Sequence, residues 1–112
     1  MVPVALEAAE RLSQQGISAE VIDLRSLVPL DTKRVLESVV KTGRVVTVEE
    51  NPRLCGWGAE VASIIAEEAM WDLDGPIRRV TAPHIPLPAA AELEDLAIPS
   101  PERVVEAVRK LQ

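Results

Sequence analysis

Residues 44–49 have the sequence Arg-Val-Val-Thr-Val-Glu, which is the clearest strand signal in the chain. Three valines and a threonine, with little alternation of polar and apolar side chains, predict a strand buried on both faces, which is typical of a parallel sheet. Neighbouring parallel strands need long connections, usually helices, so the stretch also predicts a helix before it and another after it. We therefore expect an α/β protein.

The flanking sequence supplies helices and strands in alternation. Asp31 suits the N-cap of a helix and Gly43 its stop, because a short acidic side chain accepts from free helix amides and glycine adopts left-handed backbone angles. The same signals of spacing and capping predict the other elements. Helices are expected over 2–15, from Asp31 to Gly43, over 59–70 and from Ser100 onward, and strands over 19–25, 44–49 and 77–81.

The proline-rich stretch 82–99 is predicted to hold no regular element, because proline lacks the amide hydrogen that helices and sheets use. Right-handed crossovers then place the helices on both faces of the strands. The expected architecture is a three-layer α/β/α domain with an open, mainly parallel sheet. A chain of 112 residues has the length of one such domain, spanning 1–112.

The composition of the chain excludes some classes of binding partner and indicates a cellular compartment. The chain has 12 Lys plus Arg and 18 Asp plus Glu, a net charge of −6, so neither a nucleic acid nor a membrane is an expected partner. Its apolar runs are shorter than the roughly 20 residues that span a bilayer. A single cysteine excludes an internal disulfide and fits a reducing compartment, so we expect a cytoplasmic location.

Gly56-Trp57-Gly58 lies between a predicted strand and a predicted helix, where backbone amides can bind an anion. These residues are therefore a possible anion site. A dinucleotide fingerprint would need a further glycine where Val61 stands. The simpler interpretation is that the glycines serve chain geometry and close packing.

Glu49 and Glu50 end the valine-rich strand, at the edge of the sheet where α/β proteins place ligands. Neighbouring strand residues point to opposite faces, so the two acids are not expected to share one catalytic site. Cys55 and His84 could form a nucleophile and base, but no third group orients them, and two ordinary loop residues are the simpler interpretation. The usual ligand set for a transition metal is missing as well.

The two tryptophans, Trp57 and Trp71, flank the third predicted helix and are expected in the core. The alternative is that one of them anchors a protein interface, where tryptophan is enriched. Acidic residues cluster around the third predicted strand and the proline-rich connection. We interpret this cluster as a solvated rim that could also receive a basic partner.

Several short motifs are spread along the chain. They are DLRSLVPLD at 23–31, KTGRVVTVE at 41–49, GWGAEV at 56–61, PIRRV at 76–80, the prolines of 86–88, Leu-Glu at 93–94 and Ile-Pro at 98–99. Taken together, these motifs resemble the transketolase C-terminal domain, and more closely the β subunit of the E1 component of 2-oxo acid dehydrogenase complexes of the pyruvate, branched-chain and acetoin type. The resemblance covers essentially the whole chain.

The resemblance implies a part of an oxidoreductase that uses thiamine diphosphate and magnesium to decarboxylate a 2-oxo acid and pass the acyl group to lipoyl groups on the E2 acyltransferase. In that family the cofactor motif lies on the α subunit, so this chain itself is expected to bind no cofactor or metal and to hold no catalytic residue. Its implied role is association with the E1 α subunit and a second β subunit. Docking of the E2 subunit-binding domain is a further implied role, with Asp74 and the Gln112 carboxylate as the matching residues.

The chain departs from the family at one point. A hydrophobic strand and a glycine precede the segment that aligns with Met1-Val2 in the family, and they are absent here. In the family sheet that strand lies between those matching 19–25 and 44–49. Three outcomes are open: the two strands pair directly, another chain fills the gap, or the fold is only marginally stable.

Two other classes of function stay open beside the assembly role. One is a free-standing small α/β module that binds an anion or nucleotide at Gly56, Trp57 and Gly58. The other is an independent enzyme built on Glu49, or on Cys55 with His84.

Overall fold

A computed structural model describes residues 1–86 and 88–112 of the chain. Its sheet consists of β1 (Val46–Pro52) and β2 (Arg78–Ala82), which run parallel. Val46 is paired with Arg78 and Val48 with Val80, and a bulge then shifts the register so that Pro52 meets Ala82. The predicted α/β class with a parallel sheet is confirmed.

Five helices cover this small sheet in the part of the chain that the structure describes. They are α1 (Val2–Ser13), α2 (Thr32–Thr42), α3 (Trp57–Glu68), α4 (Ala91–Ala97) and α5 (Pro101–Arg109), with one turn of 3-10 helix at Met70–Asp72. Helices α1 and α5 pack together on one face of the sheet, and α2 and α3 pack together on the other. The three-layer arrangement follows.

Each face of the sheet has its own apolar cluster. The cluster beneath α1 and α5 consists of Ala8, Leu12, Val80, Val104 and Val105. The cluster beneath α2 and α3 consists of Val35, Val39, Val61, Ile65 and Ala69. Alternating β1 residues serve the two sides, because successive strand side chains point to opposite faces.

The predicted helix ends are confirmed where local chemistry fixes them. The Asp31 carboxylate accepts a hydrogen bond of 3.0 Å from the Arg34 amide at the start of α2, and Gly43 ends that helix with a φ of 65°. At the start of α5, the Ser100 hydroxyl accepts from the Arg103 amide at 3.4 Å. Each signal acts within a few residues, which is why sequence alone predicts it.

A side-chain bridge connects α1 to α5 at the surface. The Arg11 guanidinium donates to Glu102 on α5 and, at 2.6 Å, to Glu7 on its own helix. The hydrogen bond from Arg11 lowers the pKa of Glu102 to about 2. The pair therefore stays charged well below neutral pH, and it links two helices that are distant in the sequence.

The strand predicted over 19–25 is not formed, and residues 17–26 adopt neither helix nor strand. A strand is stabilised by the ladder of a neighbouring strand, and β1 pairs only with β2 among the described residues. The outcome in which 19–25 and 44–49 pair directly is therefore wrong. The two segments instead line a common apolar cleft of about 500 Å³.

Two further elements differ from the prediction. The stretch 82–99 was expected to be irregular, but α4 forms at Ala91–Ala97. Between Pro88 and Pro99 no proline intervenes, and alanine, leucine and glutamate are strong helix formers. The third helix begins two residues earlier than expected, at Trp57, and the 3-10 turn follows it. Leu87, in the same proline-rich stretch, lies outside the described residues.

The packing of the cluster beneath α2 and α3 yields a direct test at Ile65, which is fully buried. Removing one methylene with Ile65→Val should lower the free energy of unfolding by about 1 kcal/mol, because the vacated space is not refilled. The control is Ile85→Val, at a side chain that is 52% exposed. Urea unfolding followed by circular dichroism measures both, and equal midpoints for the two variants would contradict this packing.

Candidate functional site

The Glu49 side chain is the most buried charged group at the carboxyl end of the sheet, with 1% of its surface exposed. Its Oε2 accepts hydrogen bonds of 3.0 Å from the Gly58 amide and of 3.0 Å from Asn51 Nδ2. Its Oε1 accepts from Arg79 at 3.0 Å from Nε and 2.6 Å from Nη2. Four donors therefore surround one carboxylate.

The local sequence explains this geometry. Thr47 and Glu49 lie two residues apart on β1 and so point to the same face, toward the start of α3. The two glycines before and within α3 leave room for the carboxylate. A Cβ on Gly58 would lie 2.5 Å from Glu49 Oε1 and 2.6 Å from Thr47 Oγ1, and a Cβ on Gly56 would collide with Glu49 and Asn51. The glycines are required by close approach, as the simpler interpretation predicted.

Arg79 is the partner that the sequence reasoning missed. Its side chain is 11% exposed, and besides binding Glu49 it donates to the Arg53 carbonyl oxygen at 2.9 Å. One guanidinium therefore links β2 to the end of β1 and to the loop that follows it. A signal existed in the sequence, because an arginine inside a predicted buried strand needs an anionic partner.

This arrangement makes Glu49 a brace and not a free base. Both carboxylate oxygens are engaged, and the paired charges lie away from water. Glu50 is exposed on the other side of the strand, so the expectation that the two acids do not share a site is confirmed. Across residues 1–86 and 88–112 no group of three or more His, Cys, Asp and Glu side chains could hold a metal ion.

The possible anion site at Gly56, Trp57 and Gly58 is already engaged from within the chain. The Gly58 amide donates to Glu49, the Gly56 amide donates to the Arg53 carbonyl at 3.4 Å, and Trp57 packs against the core beneath α2 and α3. An incoming anion would also meet the negative charge of Glu49. Anion binding there stays a prediction, and it requires Glu49 to move away.

Cys55 and His84 follow the carboxyl ends of the two strands, and both are exposed. Cys55 holds a positive φ of 56° in the turn before α3. Among the described residues no hydrogen bond joins the two side chains, and none orients either of them. They remain two loop residues without the third group that nucleophilic catalysis uses.

The residues expected to bind partners lie at the opposite end of the sheet. The Asp74 amide donates to the Gly43 carbonyl oxygen at 2.7 Å, so this exposed acid is fixed between the loops that lead into β1 and β2. The next residue, Gly75, lies against Leu111, with 3.8 Å between a Cβ built on Gly75 and Leu111 Cδ2. Asp74 and the exposed Gln112 are therefore each adjacent in the sequence to a residue of this contact.

The two tryptophans differ in burial. Trp57 is half-buried and packs against the core, as expected. Trp71, on the 3-10 turn, is 95% exposed, and its neighbour Met70 is 57% exposed. The expectation that Trp71 belongs to the core is wrong, because the turn that follows α3 directs the indole outward.

Comparison with known proteins gives a consistent result over nearly the whole chain. Residues 1–104 match the model of the family described as transketolase, C-terminal domain. The chain is 50% identical over 110 residues to the pyruvate dehydrogenase E1 component subunit beta of Rickettsia felis, and 44% identical over 111 residues to the acetoin:2,6-dichlorophenolindophenol oxidoreductase subunit beta of Bacillus subtilis. Each alignment covers 98% of this chain, but only 34% and 32% of the respective relative.

A solved structure shows the same similarity in three dimensions. The protein described as a split gene transketolase, inactive beta4 tetramer, superimposes with a TM-score of 0.81 and 36% sequence identity. The match covers 98% of this chain and 34% of that one. The chain thus spans about a third of the length of the relatives that it matches.

The bracing role of Glu49 predicts that substitutions at Glu49 and at Glu50 lower the free energy of unfolding by different amounts. Glu49→Gln should lower the free energy of unfolding by about 3–5 kcal/mol, because it leaves the Arg79 charge buried without its counter-ion. Glu50→Gln is the matched control, since it makes the same chemical change at an exposed position. Thermal unfolding by circular dichroism measures both, and similar midpoints would contradict a bracing role for Glu49.

Proposed function

The chain belongs to the transketolase C-terminal domain family, and from that premise we propose that it is a non-catalytic assembly domain of a 2-oxo acid dehydrogenase E1 β subunit. In this proposal residues 1–112 form one domain, and the subunits of this class are longer than the domain. The parent enzyme decarboxylates a 2-oxo acid with thiamine diphosphate and magnesium and transfers the acyl group to lipoyl groups on E2. The domain itself contributes contacts between subunits.

The descriptions of the relatives support an assembly role. Pyruvate dehydrogenase and acetoin oxidoreductase are each represented by a beta subunit, and the solved neighbour is a tetramer. Proteins described as subunits bind other chains by definition. The partners that we propose for this chain are the E1 α subunit and a second β subunit.

The observation that carries the proposal is the contrast between the inside and the outside of the domain. The buried Glu49 carboxylate has both oxygens engaged by donors from this chain. The surface instead exposes Trp71 almost completely, with Met70 beside it. Exposed tryptophan is costly in water and is enriched where proteins bind each other. We assign the patch formed by Met70 and Trp71 to a subunit interface.

The donors beside Glu49 do not fit the diphosphate of thiamine diphosphate. A diphosphate needs free amides or cations, and the Gly58 amide and the Arg79 guanidinium are both engaged by Glu49. No cluster of acidic side chains within the described residues could hold the metal. In the proposed function the cofactor therefore belongs to other parts of the parent enzyme.

Docking of the E2 subunit-binding domain is the finer part of the proposal. Asp74 is exposed and held in place by its amide, and the contact between Gly75 and Leu111 connects its loop to the residues after α5. A negative group at a fixed place on the surface complements a basic partner. The acidic net charge of −6 acts in the same direction over longer distances.

The proposal also includes the compartment in which the parent enzyme works. Across the described residues, no helix combines the length and apolar character needed to cross a membrane. The matched relatives include bacterial proteins and a rice protein described as mitochondrial. A cytoplasmic location, as expected from the sequence, remains part of the proposal for a bacterial parent.

A chimeric subunit tests the assembly role. Residues 1–112 replace the matching third of the Rickettsia felis beta subunit, and the chimera is mixed with the α subunit of the same enzyme. Sedimentation velocity should show a hetero-oligomer, because the interfaces are supplied by this domain. A chimera that gives a folded circular dichroism spectrum but sediments as a free monomer would contradict the proposal.

The same chimera tests docking separately. Asp74→Lys should weaken binding of the E2 subunit-binding domain by up to about fivefold, since one exposed charge contributes about 1 kcal/mol or less. Asp95→Lys, at an exposed acid on α4, is the matched control. Calorimetry measures both affinities, and an unchanged affinity for Asp74→Lys removes Asp74 from the docking surface without affecting the assembly role.

A further inference from the structure

Helices α2 and α3 pack side by side over one face of the sheet, and a surface groove runs between them on the side away from the core. Its apolar floor consists of Leu36 and Val40 on α2 and of Ile64 on α3. We call it the α2–α3 groove. The Asp74 loop and the exposed 3-10 turn do not line it, so the proposed function does not use this surface.

The floor of the α2–α3 groove leaves apolar surface in water. Val40 is 63% exposed, and Leu36 and Ile64 are half-buried. Leu36 and Val40 lie one helical turn apart, so their side chains follow each other along α2. Leu36 also packs against the cluster beneath α2 and α3, which fixes the floor in place. A continuous apolar strip framed by charged side chains is typical of a surface that binds another protein.

Acidic side chains dominate the rim of the groove. Glu37 on α2 and Glu67 and Glu68 on α3 line it together with a single lysine, Lys33. Lys33 Nζ lies 3.9 Å from Glu37 Oε1, and both side chains are more than half exposed. In the part of the chain that the structure describes, neither Glu67 nor Glu68 forms a salt bridge. The α3 side of the groove therefore carries two carboxylates without a counter-ion.

These two carboxylates lie where a helix favours positive charge. Glu67 and Glu68 occupy the last turn of α3, and that turn contains no basic residue. The carbonyl end of a helix carries a partial negative charge, so acidic side chains there are unfavourable and cations are favourable. Helix α3 contains neither lysine nor arginine at any position. A cation supplied by another molecule would relieve this repulsion.

Charge and shape together select the occupant. A second copy of this chain would bring the same acidic rim and a net charge of −6, and anionic surfaces would be repelled in the same way. A third helix fits between two packed helices when its ridge of side chains enters their groove. From Lys33 to Val40 the groove follows α2 for about 10 Å, which is two helical turns. A short helix with one apolar face and basic flanks matches both features.

We propose that the α2–α3 groove binds a basic amphipathic helix of a partner protein. The apolar face of that helix packs on Leu36, Val40 and Ile64, and its lysine or arginine side chains pair with Glu67 and Glu68. The proposal concerns the chain by itself and depends neither on the assembly role nor on docking at the Asp74 loop.

An NMR titration of the isotope-labelled chain with a synthetic peptide tests this proposal. The probe is a capped helix-forming peptide of about 14 residues, built from leucine, alanine and lysine with all leucines on one face. At about 0.15 M salt, it should cause saturable backbone amide shifts centred on 33–40 and 64–68. The control peptide has the same composition in an order that spreads the leucines around the helix, and it should bind at least about tenfold more weakly.

A charge-reversing variant tests the rim. Glu67→Lys combined with Glu68→Lys should weaken peptide binding at least about tenfold, because two attractions become repulsions. The variant should keep its fold, since lysine is favourable in the last turn of a helix. The matched control combines Glu92→Lys with Asp95→Lys, two exposed acids on α4, and changes the net charge equally. Its affinity should fall less than about threefold, since salt screens distant charges.

A second pair of variants tests the floor. Val40→Ser removes apolar surface from the groove and should weaken peptide binding about fivefold. Leu6→Ser is the matched control, at an apolar side chain on α1 that is 54% exposed, and it should leave the affinity unchanged.

Absence of saturable shifts, equal binding of the control peptide, or equal weakening by both charge variants would overturn the proposal. Shifts centred on Asp74 and Gln112 would overturn it as well, by placing the peptide at the proposed docking surface. So would shifts at 33–40 and 64–68 that grow with chain concentration in the absence of peptide, since a second copy would then cover the groove.

Discussion

A buried carboxylate is stable only when each of its oxygens has donors, and the Glu49 side chain imposes that constraint on this fold. Its partners come from three places: the Arg79 guanidinium on β2, the Gly58 amide in α3 and the Asn51 side chain at the end of β1. The two strands and the helix between them are thereby fixed to each other at one point. The absence of side chains at positions 56 and 58 follows from the same geometry.

The brace also explains why an α/β edge that commonly holds ligands is used here for structure. Open α/β sheets bind ligands beyond the carboxyl ends of their strands, next to helix N-termini. In this chain the Gly58 amide at that position donates its hydrogen bond to the chain's own Glu49 carboxylate. The groups that the proposed function assigns to partners lie elsewhere, on the exposed 3-10 turn and at the Asp74 loop. In the proposed function, a domain built in this way recognises other polypeptides with its surface.

Sequence predicted the features that are set within a few residues. The capping of α2 by Asp31, its end at Gly43 and the start of α5 at Ser100 each depend on one local contact. The valine-rich composition of β1 likewise predicted a buried parallel strand. The resemblance to the transketolase C-terminal domain, carried by short strings along the whole chain, identified the family.

Features that depend on distant partners were not predicted. Residues 19–25 have the composition of a strand, but a strand also needs a neighbour, and β1 pairs with β2 instead. Trp71 is apolar enough for the core, but the direction of the turn after α3 places it in solvent. The pairing of Glu49 with Arg79 spans thirty positions in the sequence. No local sequence signal near Glu49 or Arg79 identifies the other residue as its partner.

A double-mutant cycle on Glu49 and Arg79 tests the brace most directly, with Glu49→Gln, Arg79→Met and the double variant compared by urea unfolding. The coupling energy between the two side chains should be about 2 kcal/mol, with the double variant little worse than the more damaging single one. Effects that add within about 0.5 kcal/mol would show that the two residues stabilise the fold independently, and the buried carboxylate would then not be what ties β1, β2 and α3 together.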